Sequence, residues 1–360
     1  MPNGTYGGVR GEKFTKNYPL LDHFVEKNYI YDIIVVVINK KSRKVKMDKI
    51  AVLIPCYNEE LTIEKVIKDF KKELPDADIY VYNNNSKDKT EEIARKNGAI
   101  VVNEYKQGKG NVVRSQFRDI DADIYVIVDG DDTYPAEFVH KLIEPVKNGQ
   151  ADMVTGDRLS NGTYKIENKR PFHEFGNKMV KKAINVLFNA DLKDIMTGYR
   201  AFNKRFIKNM PVLSTKFEIE TEMSLYALDK KYIIKEIPID YRDRQEGSSS
   251  KLSTVSDGIK VIKTIIRMFK DYKPFKFFGA ISLTFFIFGL LVGVPVLVEF
   301  FKTEYITKVP SAILATGFMG LAAVSLQCGI ILDTITRQHR EDYELNLLRY
   351  EQIEKNNNKK

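Results

Sequence analysis

The chain has 360 residues, with 57 Lys and Arg against 48 Asp and Glu and a formal charge of +9, enough for one large domain and a smaller appendage. Its two cysteines, Cys56 at the end of a strand-like run and Cys328 in an apolar run, argue against a disulfide framework and place the main domain in the cytosol. A basic balance suits nucleic acid, anionic lipid or phosphorylated substrates, and the placement of the cations decides among these.

Residues 1–47 do not resemble the rest of the chain. Met1 to Lys16 is Gly-rich and basic, and Tyr29 to Ile38 is an apolar run of ten residues, too short to span a bilayer. The basic stretch Asn39 to Lys46 that comes next is no signal-cleavage pattern. Met47 directly precedes the first clear strand, and the functional chain is expected to start there.

From Ile50 the pattern becomes regular. Strands are expected at Ile50 to Ile54, Asp78 to Tyr82, Ala99 to Asn103 and Ile124 to Val128, with helices at Asn58 to Leu74, Lys87 to Lys96 and Gly110 to Arg118. This alternation predicts a mostly parallel sheet with helices on both faces, a Rossmann-like α/β domain. Three of the strands end in polar clusters: Pro55-Cys56-Tyr57-Asn58-Glu59-Glu60, Asn83-Asn84-Asn85-Ser86, and Asp129-Gly130-Asp131-Asp132. Ligands of open α/β sheets sit outside the carboxyl ends of the strands, so these clusters face a crevice. Asp129 and Asp131, with Gly130 keeping the turn tight, can offer oxygens to a hard divalent cation that also takes substrate phosphate. The rim suits a nucleoside, with Asn and Asp groups for base and ribose. Gly108-Lys109-Gly110, at the mouth of a helix, adds N–H groups and a cation that suit a phosphate, although it lacks P-loop spacing.

Beyond the acidic turn, Asp152 to Thr155 and Ile233 to Ile239 read as strands. Phe172 to Asn189 and a segment opening at Phe217 read as helices. Arg158, Arg170, Arg200, Arg244 and Lys251 lie beside strand ends or Gly/Ser loops, where phosphate clamps occur. Val255 to Tyr272 is a basic amphipathic helix with Val255, Ile259, Ile262, Ile266 and Phe269 on one face, which either packs against the catalytic domain or, as the apolar runs after it favour, lies on a membrane surface. Phe277 to Val298 and Val309 to Leu332 are each long and apolar enough to span. Basic residues before the first run and Arg337 and Arg340 after the second put both ends in the cytosol, which makes the pair a hairpin in the cell membrane. The tail from Asp333 to Lys360 is charged and helix-prone, and is read as a solvated helix with leucines that could serve oligomerisation. The expected division is therefore 1–47 extension, 48–253 catalytic domain, 254–274 juxtamembrane helix, 275–332 hairpin and 333–360 tail.

The segments IAVLIPCYNEE, NNNSKDKT, GKGNVVR, VDGDDTYP and MTGYRAF, in this order, resemble the inverting family-2 glycosyltransferases of the GT-A fold. RDRQEGSSSKL followed by two apolar runs is similar to their polyisoprenyl-phosphate branch, the GtrB and dolichol-phosphate mannose synthase types. The likeness covers about Lys49 to Asp333. It implies transfer of one sugar from a nucleotide donor, expected to be a UDP-sugar, to a polyprenyl phosphate (undecaprenyl or dolichyl) at the cytosolic membrane face, with inversion. Carried over by position, it puts Asp129 and Asp131 on Mg²⁺ or Mn²⁺. Pro55, Tyr57, Glu59 and Asn84 would then contact the nucleoside, Arg158 and Arg170 the acceptor phosphate, and Arg244 and Lys251 the loop that closes over the phosphates. The hairpin of this branch is compatible with a homotetramer.

Three departures matter. Asn83 and Asn84 stand where many members have two aspartates, Thr133 stands where relatives often have a metal-facing Gln, and one extra residue between Gly247 and Lys251 favours the GtrB type. His23, His140, His173 and His339 show no ligand spacing, and none is assigned to the chemistry. Their absence from it fits an acceptor phosphate whose second pKa of about 6 already makes it an anionic nucleophile. A processive polysaccharide synthase would need a Trp-containing acceptor motif and more spans, and the chain has no Trp. A non-catalytic nucleotide-binding scaffold is the reading from another class. Nucleic-acid binding is disfavoured because the cations form no aromatic-studded stripe.

Overall fold

The structure, a computed structural model, describes residues 48–162, 171–215, 218–242 and 265–357, with the backbone alone at 171–177 and 357. The strands are β1 Ile50–Cys56, β2 Asp78–Asn83, β3 Ile100–Asn103, β4 Ile124–Ile127, β5 Met153–Asp157, β6 Arg200–Asn203 and β7 Ile234–Pro238. The helices are α1 Ile63–Glu73, α2 Thr90–Lys96, α3 Lys109–Asp119, α4 Val139–Lys147, α5 Pro171–Phe188, α6 Lys204–Asn209, α7 Ile219–Asp229, α8 Pro274–Thr303 and α9 Val309–Asn357. A further helical stretch is described at 265–272.

The seven strands form one mixed sheet in the order β3-β2-β1-β4-β6-β5-β7. β1 pairs in parallel with both β2 and β4, so the strand order reverses between β1 and β4, and the crevice outside their carboxyl ends is where an open α/β sheet takes its ligand. β1 is a continuous apolar run because both its faces are covered. Val52 and Ile54 enter one layer with Ile67 and Phe70 of α1, while Ala51 and Leu53 enter the other with Phe117 of α3 and Phe206 of α6. Each of these side chains other than Ala51 contributes roughly 1.5–3 kcal/mol.

Two differences from the expected pattern concern local chemistry. β6 is an antiparallel insertion between β4 and β5, only four residues long and opening on an arginine, so it carries no alternating signature. α1 begins at Ile63 rather than Asn58, because Asn58 sits at φ +55° and the segment after β1 turns across the rim before the helix starts.

The apolar helices extend beyond the expected limits. α8 and α9 pack as an antiparallel pair: Ser282 Oγ donates to the Ala322 carbonyl at 2.7 Å, and Gly289 and Gly293 lie against Met319 and Ala315. Only 17% and 11% of their most apolar windows are buried. The tail is not the solvated helix expected. It continues α9 without a break, with Leu347 buried and Tyr343 edge-on to Tyr226 of α7 at 6.0 Å. In the stretch 265–272, Ile265, Met268 and Tyr272 pack on Val180 and Ile184 of α5 and Leu225 of α7, the domain-packing alternative for this part of the expected amphipathic helix, while Val255, Ile259 and Ile262 lie outside the described residues. Ile266, from the expected apolar stripe, stays 49% exposed.

Candidate active site

The acidic turn at the end of β4 divides its three carboxylates among three tasks. Asp131, nearly buried, accepts from Thr133 Oγ1 at 2.7 Å and Thr133 N at 3.3 Å. Asp132 adopts φ +57°, and its carboxylate turns away to Lys65 of α1 at 2.5 Å and Arg242 at 3.4 Å. Asp129 meets the Lys109 ammonium at 2.5 Å. The backbone of Gly198 closes the other side of Asp129, and a methyl group there would overlap Asp129 Oδ2.

Lys109 enters from the first residue of α3 and is shared with Glu220 Oε1 of α7, also at 2.5 Å. Burial alone would lower the lysine pKa, but the charges of Asp129 and Glu220 outweigh it and hold the ammonium well above its ordinary value. The approach of α3 depends on Gly110, since any side chain there would run into the Ser214 carbonyl.

The rim is built by hydrogen bonds between loops. Thr62 Oγ1 donates to the Gly130 carbonyl at 2.7 Å, and Gly130 lies against Cys56 and near Glu59, so the ends of β1 and β4 touch. Asn58 N donates to Ser86 Oγ, and Glu59 N to Thr90 Oγ1, each at 2.9 Å. Asn84 donates both amide hydrogens to the Glu104 and Lys106 carbonyls and accepts from Gly108 N at 2.7 Å and Gln107 Nε2 at 3.2 Å. Its polar capacity is spent on holding the loop that leads to Lys109.

Arg158, at the end of β5, forms a two-pronged pair with Asp194, Nε to Oδ2 at 2.7 Å and Nη2 to Oδ1 at 2.9 Å. Its Nη1 donates to Tyr134 Oη at 3.3 Å, and its Cζ lies 5.7 Å from the Tyr241 ring centre. Burial would raise the Asp194 pKa, but the Arg158 guanidinium overrides it and holds the carboxyl below its ordinary range.

Sequence comparison matches residues 51–210 to the Glycosyl transferase family 2 model. The chain is 31% identical to Glycosyltransferase AglJ of Haloferax volcanii over 82% of its own length and 96% of that protein's. The chain belongs to glycosyltransferase family 2. Dolichyl-phosphate hexose transferase of the same organism is 30% identical over 61% of this chain and 94% of its own. Among solved structures, glucosyl-3-phosphoglycerate synthase from Mycobacterium tuberculosis bound to phosphoglyceric acid superposes with a TM-score of 0.52 at 21% identity, covering 62% of this chain and 80% of that one. The same enzyme holding Mn²⁺, UDP-glucose and phosphoglyceric acid gives 0.50. The fold is therefore GT-A, and the chain is a glycosyltransferase.

Of the residues singled out in the sequence, the structure brings Asp129, Asp131, Lys109, Glu59 and Asn84 to one rim, with Pro55 paired across β1 and β2 to Tyr82. Arg170, Arg244 and Lys251 lie outside the described residues. Arg242, two residues before Arg244, is nevertheless tied to the acidic turn, its N–H donating to the Thr133 carbonyl at 3.0 Å. Arg200 is no phosphate clamp. It is fully buried, donates to the Thr197 carbonyl and Ser224 Oγ at 2.9 Å each, and is pushed down to about 10 by burial. Glu220 was missed, although a glutamate on the face shared by Met223 and Ala227 is a signal, since a buried carboxylate needs a cation. Among the described residues no group of three or more His, Cys, Asp or Glu side chains is placed to hold an ion. A hard cation here would have to take oxygens from Asp129 beside Lys109 and from Asp131 beside Thr133, and the rest of its shell from phosphate and water.

Proposed function

We propose that the protein transfers one sugar from a nucleotide-sugar donor, a UDP-sugar, to a polyprenyl phosphate at the cytosolic face of the cell membrane, with inversion at the anomeric carbon. The observation that carries this reading is the junction, in one compact unit, of the Asp129–Asp131 turn with two apolar helices that stay almost entirely uncovered. Core helices of a soluble protein bury their apolar faces; these need another apolar phase, and a prenyl chain shares that phase. The relatives named for dolichyl-phosphate hexose transfer and dolichol-phosphate mannosyl transfer support the acceptor class, and a fold neighbour crystallised with Mn²⁺ and UDP-glucose supports the donor and metal.

In this reading Asp129 and Asp131 hold Mg²⁺ or Mn²⁺ with the donor diphosphate, and Lys109, itself paired to Asp129 and Glu220, fixes the Asp129 carboxylate in place beside it. When bound, the ion supplies charge to the departing nucleoside diphosphate. Pro55, Tyr57 and Glu59 border the nucleoside, and Asn84 shapes the loop behind it. Arg170, Arg244 and Lys251 receive the phosphates. Arg158 meets the acceptor already paired to Asp194, so it orients that side of the pocket and contributes little net charge. The acceptor phosphate is already an anion at neutral pH, and positioning replaces a general base.

The test incubates membranes carrying the protein with radiolabelled UDP-glucose, UDP-galactose, UDP-N-acetylglucosamine and GDP-mannose in turn, with undecaprenyl phosphate and Mg²⁺ or Mn²⁺. Label enters the lipid extract from one donor and is lost with Asp131→Asn. A folded, nucleotide-binding protein that labels no lipid from any donor would overturn the reading.

A further inference from the structure

Two segments that adjoin the apolar helices dock on neighbouring helix ends of the catalytic domain, the first on α5 and the second on α7. Tyr272, two residues before α8, packs edge-on to Phe188 at 5.5 Å, and the Lys273 ammonium lies 5.5 Å from the same ring centre. From α9, Arg340 donates from Nε and Nη2 to Asp229 Oδ1 at 3.1 and 2.7 Å. Asp229 is the last residue of α7, and its side chain is only 10% exposed. Lys230 bridges the two contacts, 3.3 Å from Asp229 Oδ2 and 4.7 Å from the Tyr343 ring centre. Tyr343 Oη then donates to Tyr232 Oη at 2.5 Å.

The docking continues along the helix. Glu351 pairs with Arg205 at 3.5 Å and Glu354 with Lys204 at 3.4 Å, both on α6. Between Gly329 and Asn357 the sequence has neither Gly nor Pro, so the helix offers no hinge between its apolar half and this docked half. At 1.5 Å per residue, Arg340 lies about 12 Å past Leu332, and the contacts from Arg340 to Glu354 occupy about 21 Å more.

We propose that residues 333–357 are a strut that fixes the height and tilt of the catalytic unit over the lipid headgroups, with Asp229–Arg340 and Tyr232–Tyr343 as its positioning pairs for the acceptor phosphate. The inference rests on the proposed function at the membrane. A polyprenyl phosphate holds its reactive oxygen within a thin headgroup layer, so a site kept at one height meets it far more often than a site on a loose tether. A water-soluble acceptor carries no such constraint.

The experiment uses the full chain in phospholipid vesicles. Transfer is measured to embedded undecaprenyl phosphate and to a short, water-soluble prenyl phosphate, for Asp229→Arg, Arg340→Asp, the two together, and a two-alanine insertion after Thr336. The insertion turns the docking face by about 200°. The single reversals and the insertion are expected to raise KM for the embedded acceptor about tenfold while leaving kcat and the soluble acceptor unchanged, and the swap to restore KM to within about twofold. Equal losses on both acceptors, or no rescue by the swap, would overturn the proposal.

A second readout does not depend on turnover. The chain has no Trp, so Val186→Trp on an exposed part of α5 is a single donor for energy transfer to dansylated headgroups. Transfer is expected to change in Arg340→Asp and return in the swap; identical transfer in all variants would overturn the strut. If the reading of function fails, no acceptor is used while the transfer pattern holds. Failure of the protein to enter vesicles would overturn both.

Discussion

The Lys109 ammonium lies 2.5 Å from the Asp129 carboxylate and is held there from behind by Glu220. One cation thus joins α3, the end of β4 and the first turn of α7, so Lys109 organises the site before any ligand arrives. Its removal leaves two carboxylates facing one another. Lys109→Ala is expected to cost about 3 kcal/mol, at the low end for a broken buried pair because Asp129 keeps 28% exposure. The lysine pKa is raised in the folded state, so its contribution is whole below the ordinary value of 10.5 and fades only as the pH climbs beyond it. Denaturant unfolding should give the same wild-type-to-variant gap at pH 6 and pH 9.

Gly198 is a packing requirement of Asp129. A β-carbon at this position would overlap Asp129 Oδ2. Gly198→Ala is therefore expected to move the carboxylate by a fraction of an ångström to an ångström and lower transfer about 100-fold, at a stability cost of about 1–3 kcal/mol. Gly279→Ala, where nothing lies within 4 Å, is the matched control and should leave transfer unchanged.

The central fold was legible because β1, β2 and β4 are apolar runs that end in polar clusters, and those clusters turned out to share one rim. β6 was not, since four residues beginning with a buried arginine look like a loop; its pairing comes from neighbours distant in sequence. The place of Asp129 and Asp131 on the rim could be read from their strand-end position. Glu220 showed only as a glutamate on an apolar helix face; the cation it needs, Lys109, lies 111 residues away and could not be named from the pattern. For the same reason the tail read as solvated: its charges answer Asp229, Arg205 and Lys204, none of which is near it in the chain.

Asp194 should make the protein acid-sensitive. Its pKa is lowered by Arg158 against the opposing effect of burial, so its contribution is present above the ordinary carboxyl value of 3.8 and is lost as the pH falls below it. Asp194→Asn is expected to lower stability by about 3 kcal/mol at pH 7, by leaving Arg158 buried without its counter-charge. The gap to wild type should begin to narrow below pH 4. A gap unchanged from pH 7 to pH 3 in thermal unfolding would remove the pair from the account of acid stability.

Asn84 tests whether this position reads the base or builds the loop. Its amide donates to the Glu104 and Lys106 carbonyls at 2.8 and 2.9 Å, and an aspartate, which resembles what many relatives carry here, would turn an acceptor toward two acceptors. Asn84→Asp is expected to cost about 1–2 kcal/mol, as two part-buried carbonyls lose their donor and a carboxylate takes its place. Because the same loop delivers Gly108 and Lys109, UDP should bind more weakly too. Calorimetric titration of UDP and UMP separates the two roles. A loop role weakens UDP more than UMP, since in the proposed function the diphosphate lies at the Lys109–Asp129 pair, whereas a base contact weakens both by the same factor and leaves thermal stability near wild type.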